Sequence, residues 1–398
     1  MKRLTITVGI FLSAFMVNAQ NVDTLNQNTA EKLLNSDTKL SIGGYGEAHY
    51  NQALSSEFRK NGTLDIHRMV MFFAYNYSKK TQFVTEIEFE HISEVYVEQA
   101  FLQHKLNKSI NFRAGLLLIP MGIVNEYHEP TAFNGVERPT LDNKISPTTW
   151  REIGFGFAGT ILDASLKYQA YLVNGFNGYD GSAKFSGKNA LRNGRQKGAE
   201  SYISSPNFTG KIEYFGIRGL NIGLSAYYGK SQSKLYNGID KNDSTALANA
   251  SSSVVGVSMI GFDTRYNYKG IQLRGQLYYT YLTNTEQYNK FTAVNNVNND
   301  LGNSMAGFYA EVGYNVFHNS EKIKSELIPF FRFEKFDTHF STDAITTKND
   351  AYNSTILTSG LTYKITKGVV LKADLQLSKS KADTEFSKTF NAGFGVNF

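Results

Sequence analysis

The sequence predicts an all-β chain: a transmembrane antiparallel β-barrel of about sixteen strands, with short periplasmic turns and long external loops. Three observations predict it. Apolar and polar residues alternate along most of the chain, the alternating runs recur at regular spacing, and the last run ends in a C-terminal phenylalanine.

The start of the chain sets the compartment. Lys2 and Arg3 form a positive head, residues 4–17 are apolar apart from Thr, Ser and Gly, and Val17, Asn18 and Ala19 offer a cleavage site. This reads as a signal peptide over 1–19, cleaved near Ala19, and hence as an exported protein. The apolar run falls short of the ~20 residues of a membrane-spanning helix, and no later run reaches that length. Residues 20–39 read as a short periplasmic N-terminal segment with room for a helix, and 40–398 as the barrel.

Composition agrees. The chain carries 29 Phe, 24 Tyr and 34 Gly against one Trp and six Pro, which suits strands and turns. With no cysteine it has no disulfide, thiolate metal site or lipid-anchor cysteine. The formal charge of +6 includes Lys2 and Arg3 of the leader, and acidic and basic residues are interspersed elsewhere. No polybasic tract of the kind that holds nucleic acid is present.

A strand with lipid on one face and water on the other must alternate, because successive side chains point to opposite faces. In 270–282, Gln272, Arg274, Gln276, Tyr278 and Thr280 share one face, while Ile271, Leu273, Leu277, Tyr279 and Tyr281 share the other. In the run before it, Asp263, Arg265 and Asn267 oppose Phe262, Tyr266 and Tyr268. Late in the chain, Lys372, Asp374, Gln376 and Ser378 oppose Leu371, Ala373, Leu375 and Leu377. About sixteen such runs, each near the 9–11 residues of a tilted membrane strand, begin near 40, 63, 81, 94, 109, 151, 164, 207, 219, 254, 270, 304, 322, 351, 368 and 387. Short turns at 78–80, 107–108, 162–163, 216–219, 269–270, 319–320 and 366–367 alternate with longer segments, notably 119–150, 175–206, 231–253 and 284–303. At the end, Phe390, Ala392, Phe394, Val396 and Phe398 fall on one face, a pattern that resembles the terminal signal of outer-membrane barrels. These features place the chain in the cell outer membrane, among its lipids. A barrel of this size leaves an aqueous channel rather than a packed core, so small hydrophilic solutes or ions are the expected partners.

The polar faces supply the pore-lining residues. The acidic ones are Glu86, Glu88, Glu90, Glu94, Glu98, Glu152, Glu213, Asp263, Glu311 and Asp374. The basic ones are Arg68, Arg113, Lys167, Lys211, Arg265, Arg274, Arg332 and Lys372. A tight turn around Ile92 would set Glu90 opposite Glu94 and Glu86 opposite Glu98, and the turn at 78–80 would set Arg68 opposite Glu90 to relieve the like charges. The segment 119–150 is longer than the ~12–15 residues of an idle connection. Either it bends into the lumen and narrows the pore, or it packs outside on its neighbours.

Residues 113–159 read RAGLLLIPMGIVNEYHEPTAFNGVERPTLDNKISPTTWREIGFGFAG. The strand ending in Pro-x-Gly, the long loop with a Glu-Arg pair and the following Arg-x-x-Gly strand resemble the phosphate-selective porin O and P family. The resemblance implies sixteen strands, a homotrimer, an inward-folded third external loop and an anion preference set by arginines and lysines. The constriction loop of this chain is mixed in sign: Arg138 and Lys144 stand among Glu126, Glu129, Glu137 and Asp142. An anion preference would therefore act through Arg113, Arg138, Arg265, Arg274 and Arg332.

Two other functions fit an exported barrel: a rim hydrolase, or an adhesin that docks a partner on its loops. The seven histidines sit in no nucleophile motif, so no catalytic residue is expected. Glu88, Glu90, His91 and Glu94 have the donors for a divalent cation but read more simply as a solvated loop end, so neither metal nor cofactor is expected. Loops 175–206 and 231–253 are rich in Ser, Asn, Gly and Lys, which suits mobile surface segments.

Overall fold

The computed structural model describes residues 27–55 and 57–398, so the signal peptide expected over 1–19 lies outside the described residues. The strands of the first half are β1 (Leu40–Leu54), β2 (Thr63–Asn76), β3 (Thr81–Glu90), β4 (Glu94–Lys105), β5 (Asn111–Leu118), β6 (Arg151–Ile161), β7 (Leu166–Val173), β8 (Asn177–Tyr179) and β9 (Asn207–Ile217). The second half supplies β10 (Leu220–Lys230), β11 (Gln232–Ser233), β12 (Gly256–Tyr268), β13 (Ile271–Thr283), β14 (Ser304–Tyr314), β15 (Glu326–Ser341), β16 (Asn353–Thr366), β17 (Val369–Ser380) and β18 (Ser387–Asn397). Sixteen of them close an antiparallel barrel, with β1 against β18 at the seam, while β8 and β11 form a small separate sheet. Each barrel strand begins within four residues of the position read from the alternation.

Polarity runs opposite to that of a soluble protein. Along β13, Leu273, Leu277, Tyr279 and Tyr281 are exposed, whereas Gln276, Tyr278 and Thr280 are buried. The same inversion leaves Phe155, Ile212, Leu224, Phe262, Val312 and Phe394 on the outside while Lys211, Asp263 and Arg332 are buried within. A barrel in water would expose its charges and hide its leucines. Lipid outside and polar contents inside remove the conflict, and closure leaves no unpaired strand edge in the apolar layer.

The seam is fixed at its end by backbone. Gly44 and Phe398 exchange two hydrogen bonds of 2.9 Å. A Cβ on Gly44 would meet the Phe398 ring at 2.7 Å and the carbonyl oxygen of Val70 at 2.5 Å, so only glycine lets the last residue lie against β1. On the periplasmic side, the two-residue turn of Lys269 and Gly270 has φ of 48° and 79°, the primed geometry that matches strand twist. One connection differs from expectation: the turn read at 319–320 is the longer segment 315–325. The tight turn read around Ile92 is present as 91–93, with His91 and Ile92 both at positive φ.

Trp150 ends the long loop and nails it to its neighbours. It is fully buried, stacked 4.4 Å from Phe176 with the tilted Tyr227 ring at 4.7 Å, and its Nε1 donates to Glu152 at 3.1 Å. Trp150→Ala is expected to cost about 3–5 kcal/mol, read as a lower urea midpoint for the folded protein in detergent.

Candidate channel and its constriction

The loop 119–150 folds into the barrel and is tied to strands around the whole wall. Its first turns meet β9, β12 and β13. Ile123 N–H donates to Gln276 at 3.1 Å, and Lys211 donates to the carbonyl of Gly122 at 2.7 Å and to Glu126 at 3.0 Å. Lys211 also lies 3.2 Å from Asp263, Arg265 is 2.5 Å from Glu213, and the Arg265 guanidinium sits 4.1 Å above the Tyr127 ring. Gly122 has φ of 73°, and a Cβ there would fall 1.8 Å from the Tyr278 hydroxyl. That close approach demands glycine.

The middle of the loop meets β3, β4, β13, β14, β15 and β17. His128 lies 3.3 Å from Glu86 and 3.4 Å from Glu98, and Arg274 donates to the carbonyl of Ala132 at 2.5 Å. Asn134 donates to Glu311 at 3.1 Å and Val136 N–H to Asp374 at 2.7 Å, while Lys372 lies 3.7 Å above the Phe133 ring. Arg332 bridges Glu334 at 3.0 Å and Glu311 at 3.4 Å, and also donates to the carbonyls of Asn134 and Glu137. Farther on, Glu137 accepts from Asn51 at 2.9 Å and lies 3.1 Å from His49. Arg138 donates to the His128 carbonyl at 2.9 Å, and Leu141 N–H donates to Glu334 at 3.1 Å.

Asp142, in the short helix α2 (Leu141–Lys144), accepts from the Tyr278 hydroxyl at 2.6 Å. Burial pushes its carboxyl up to about 7, against the pull of that hydrogen bond. The seated loop therefore holds a proton that a solvated Asp, with its usual value near 3.8, would release. Between those two values the seated state binds more protons, so seating is strongest at low pH and weakens as pH rises through about 7. Loop-derived current noise is expected to grow from pH 5 to pH 8 in the wild type, and Asp142→Asn is expected to flatten that dependence.

Within the described residues the loop stands between two chambers. The external one, of about 430 Å³, is lined by Val136, Glu137, Arg138 and Thr140 of the loop together with Glu47, His49, Arg68, Glu90, Glu94, Arg151, Arg192 and Arg195. The periplasmic one, of about 320 Å³, is lined by Ile123, Tyr127, Thr131 and Ala132 with Arg265, Gln272, Arg274 and Lys364. They share no lining residue. The segment before β1 adds a second internal element, α1 (Thr29–Leu34), capped by the Asn28 side chain. Thr29 donates twice to Glu129 at 2.7 and 2.9 Å, Glu31 pairs with Lys167 at 2.6 Å, and Gln82 donates to the carbonyl of Leu34 at 2.7 Å.

Among the residues singled out by sequence, Arg68, Glu86, Glu88, Glu98, Glu152, Lys211, Glu213, Asp263, Arg265, Glu311, Arg332, Lys372 and Asp374 are buried on the inner face. Arg113 lies beside α1, Arg274 opens on the periplasmic chamber, and Glu90 and Glu94 meet in register at the external one. Arg68 stands opposite Glu90 and is 2.9 Å from Glu47 and 3.1 Å from Glu88. Two expectations are corrected. Glu86 faces Gln99, because a bulge after Glu86 gives β4 an extra residue, although Glu98 still turns inward. Lys144 leaves the constriction and donates to the carbonyl of Lys188 on the next loop at 3.3 Å. His91, read as part of a solvated loop end with Glu88, Glu90 and Glu94, lies beside Asp65 and His67.

Sequence reasoning missed Glu47, His49 and Glu334, which alternate inward like their neighbours, and Arg192 and Arg195, which come from a loop without periodicity. Arg192 and Arg195 donate to the carbonyl of Thr148 at 2.6 and 2.5 Å, and among the described residues neither has a carboxylate within ion-pair distance. Burial, with Arg192 and Arg151 close by, pulls the Arg195 guanidinium down to about 9.

A closed sixteen-strand antiparallel barrel is the fold of the outer-membrane porins. It is shared with the outer-membrane channel DcaP of Acinetobacter baumannii (TM-score 0.57, 10% identity, 90% of this chain and 97% of that one). The anion-selective porin from Comamonas acidovorans also has it (0.54, 12%, 90% and 99%), as does Salmonella typhi OmpF in complex with daunomycin (0.54, 11%, 90% and 97%). No family model matches the chain. The chain belongs to the same family as an uncharacterized protein of Aquifex aeolicus strain VF5, 32% identical over an alignment of 358 residues that covers 87% of this chain and 77% of that protein.

Proposed function

We propose that this chain is an outer-membrane porin, a passive diffusion channel for small hydrophilic solutes or ions, exported by the leader over 1–19 and assembled as a homotrimer. The observation that carries it is the polar-lined barrel whose 119–150 loop separates two chambers. Such a conduit works by size, charge and hydration and needs no catalytic centre. The trimer and phosphate as a permeant rest on the resemblance to the phosphate-selective porin O and P family.

The external chamber favours anions. Its carboxylates Glu47, Glu88, Glu90 and Glu137 already face Arg68, Arg138 and His49, and Glu94 accepts from the Tyr96 hydroxyl, whereas Arg192 and Arg195 are held by the carbonyls of Thr148 and Thr149 and the Thr149 hydroxyl. A small anion entering there trades part of its hydration for guanidinium donors that no carboxylate occupies.

In a planar bilayer under a KCl gradient, stepwise conductance with an anion-selective reversal potential is expected. Arg192→Ala/Arg195→Ala should move the reversal potential toward cations while the steps remain, and phosphate should compete with chloride current in the wild type only. Absence of current from folded protein would instead favour a docking barrel.

A further inference from the structure

His128 occupies a setting that conduction does not require. Its Nδ1 lies 3.2 Å from the carbonyl oxygen of Asn125, which can only accept, so in the neutral ring Nδ1 carries the proton and Nε2 keeps its lone pair. That Nε2 faces Glu86 Oε1 at 3.3 Å and Glu98 Oε2 at 3.4 Å, and all three side chains are buried. A protonated ring would have one N–H for two carboxylates, and both separations exceed the ~2.7–2.9 Å of charge-assisted hydrogen bonds. Donors ~2.0–2.2 Å from a tetrahedral cation stand ~3.4 Å apart, which matches both separations.

The surroundings orient these donors. Gln99 donates to the other oxygen of Glu86 at 2.6 Å, and Arg151 lies 3.4 Å from the other oxygen of Glu98. Each carboxylate thus keeps one oxygen turned toward His128, and the Asn125 carbonyl fixes the ring, the outer-shell pattern of metal ligands. Glu98 Oε2, the oxygen that faces His128, is buried without a hydrogen-bond partner, as is the Tyr45 hydroxyl, and the Tyr45 ring lies 5.9 Å from that of His128. The second cluster, Asp65, His67 and His91, lacks this arrangement. There His67 Nε2 lies 2.8 Å from the Arg68 guanidinium, which leaves the proton on the Nδ1 that faces Asp65.

We propose that Glu86, Glu98 and His128 Nε2 bind a divalent first-row cation, with Zn²⁺ suited to one imidazole and two carboxylates. The ion joins the constriction loop to β3 and β4, so the site clamps the loop against the wall. The fourth position is left to water or the Tyr45 hydroxyl.

The test uses untagged folded protein stripped with EDTA and dialysed against Co²⁺. One Co²⁺ per chain is expected, with the visible bands of a tetrahedral site, bleached by Zn²⁺ and unaffected by Mg²⁺ or Ca²⁺. Glu98→Gln and His128→Asn should each weaken retention at least ~10-fold, and His67→Asn should leave it unchanged. Heat-modifiable gel mobility verifies that each variant is folded. Failure of the wild type to retain one Co²⁺ per chain overturns the assignment without recourse to any variant, as does retention unchanged in both Glu98→Gln and His128→Asn. Binding is read without passing current, so the result is independent of whether the protein conducts.

Discussion

Replacing residues 123–145 with a short Gly-Ser linker is expected to raise the single-channel conductance several-fold while the barrel still folds. The ends of the loop are already together, because Ile119 N–H donates to the carbonyl of Trp150 at 3.0 Å, so a short linker closes the β5–β6 hairpin without strain. The strand ladder does not pass through the loop and keeps its own hydrogen bonds. What the excision removes is the material that divides the two chambers. It also releases Lys211 from Glu126, and Arg274, Arg332, Asp374 and Glu334 from their loop partners, and these side chains would then face water in a wider lumen. The selectivity set by Arg192 and Arg195 should weaken too, since their acceptor Thr148 would no longer be held in place. An unchanged conductance would move the narrowest point to α1, where Glu31 meets Lys167.

The barrel was legible in the sequence because a membrane imposes a strict rule on every strand. One misplaced residue exchanges lipid and lumen faces, so β13 can place Gln272, Arg274 and Gln276 only on the inside. The same rule brought Arg68 and Glu90 into register from the length of one turn. It failed where the ladder itself departs from regularity: the bulge after Glu86 moved Glu98 by one position. The loop was legible only as too long to be idle. Which wall residue Asn134 or Val136 meets depends on the three-dimensional path of an irregular backbone, and no period records that path. Arg192 and Arg195 lay in a segment whose composition reads as mobile surface, yet they reach the chamber by bonding to Thr148. The clamp at Glu86, Glu98 and His128 joins residues from two strands and a loop, and sequence spacing gave no sign of it.

Arg332→Leu is expected to weaken loop seating by about 3–5 kcal/mol, the cost of leaving buried charges without their partner. Arg332 is 1% exposed and its guanidinium lies between Glu311 and Glu334, themselves buried, so its removal leaves two carboxylates facing each other's field in a dry site. The carbonyls of Asn134 and Glu137 lose their donor at the same time. The barrel ladder gives the wall another source of stability, so the loss should appear mainly as detachment of the loop. Faster cleavage within 119–150 by an added protease, and rapid flicker between conductance levels, would report it. Neutralising both acids in Arg332→Leu/Glu311→Gln/Glu334→Gln should recover much of the loss, because the cost lies in the stranded charges rather than in the missing ion pairs. If Arg332→Leu matched the wild type in both protease resistance and current noise, the loop would be held by packing and backbone hydrogen bonds. Its charges would then serve only to shape the field that permeant ions meet.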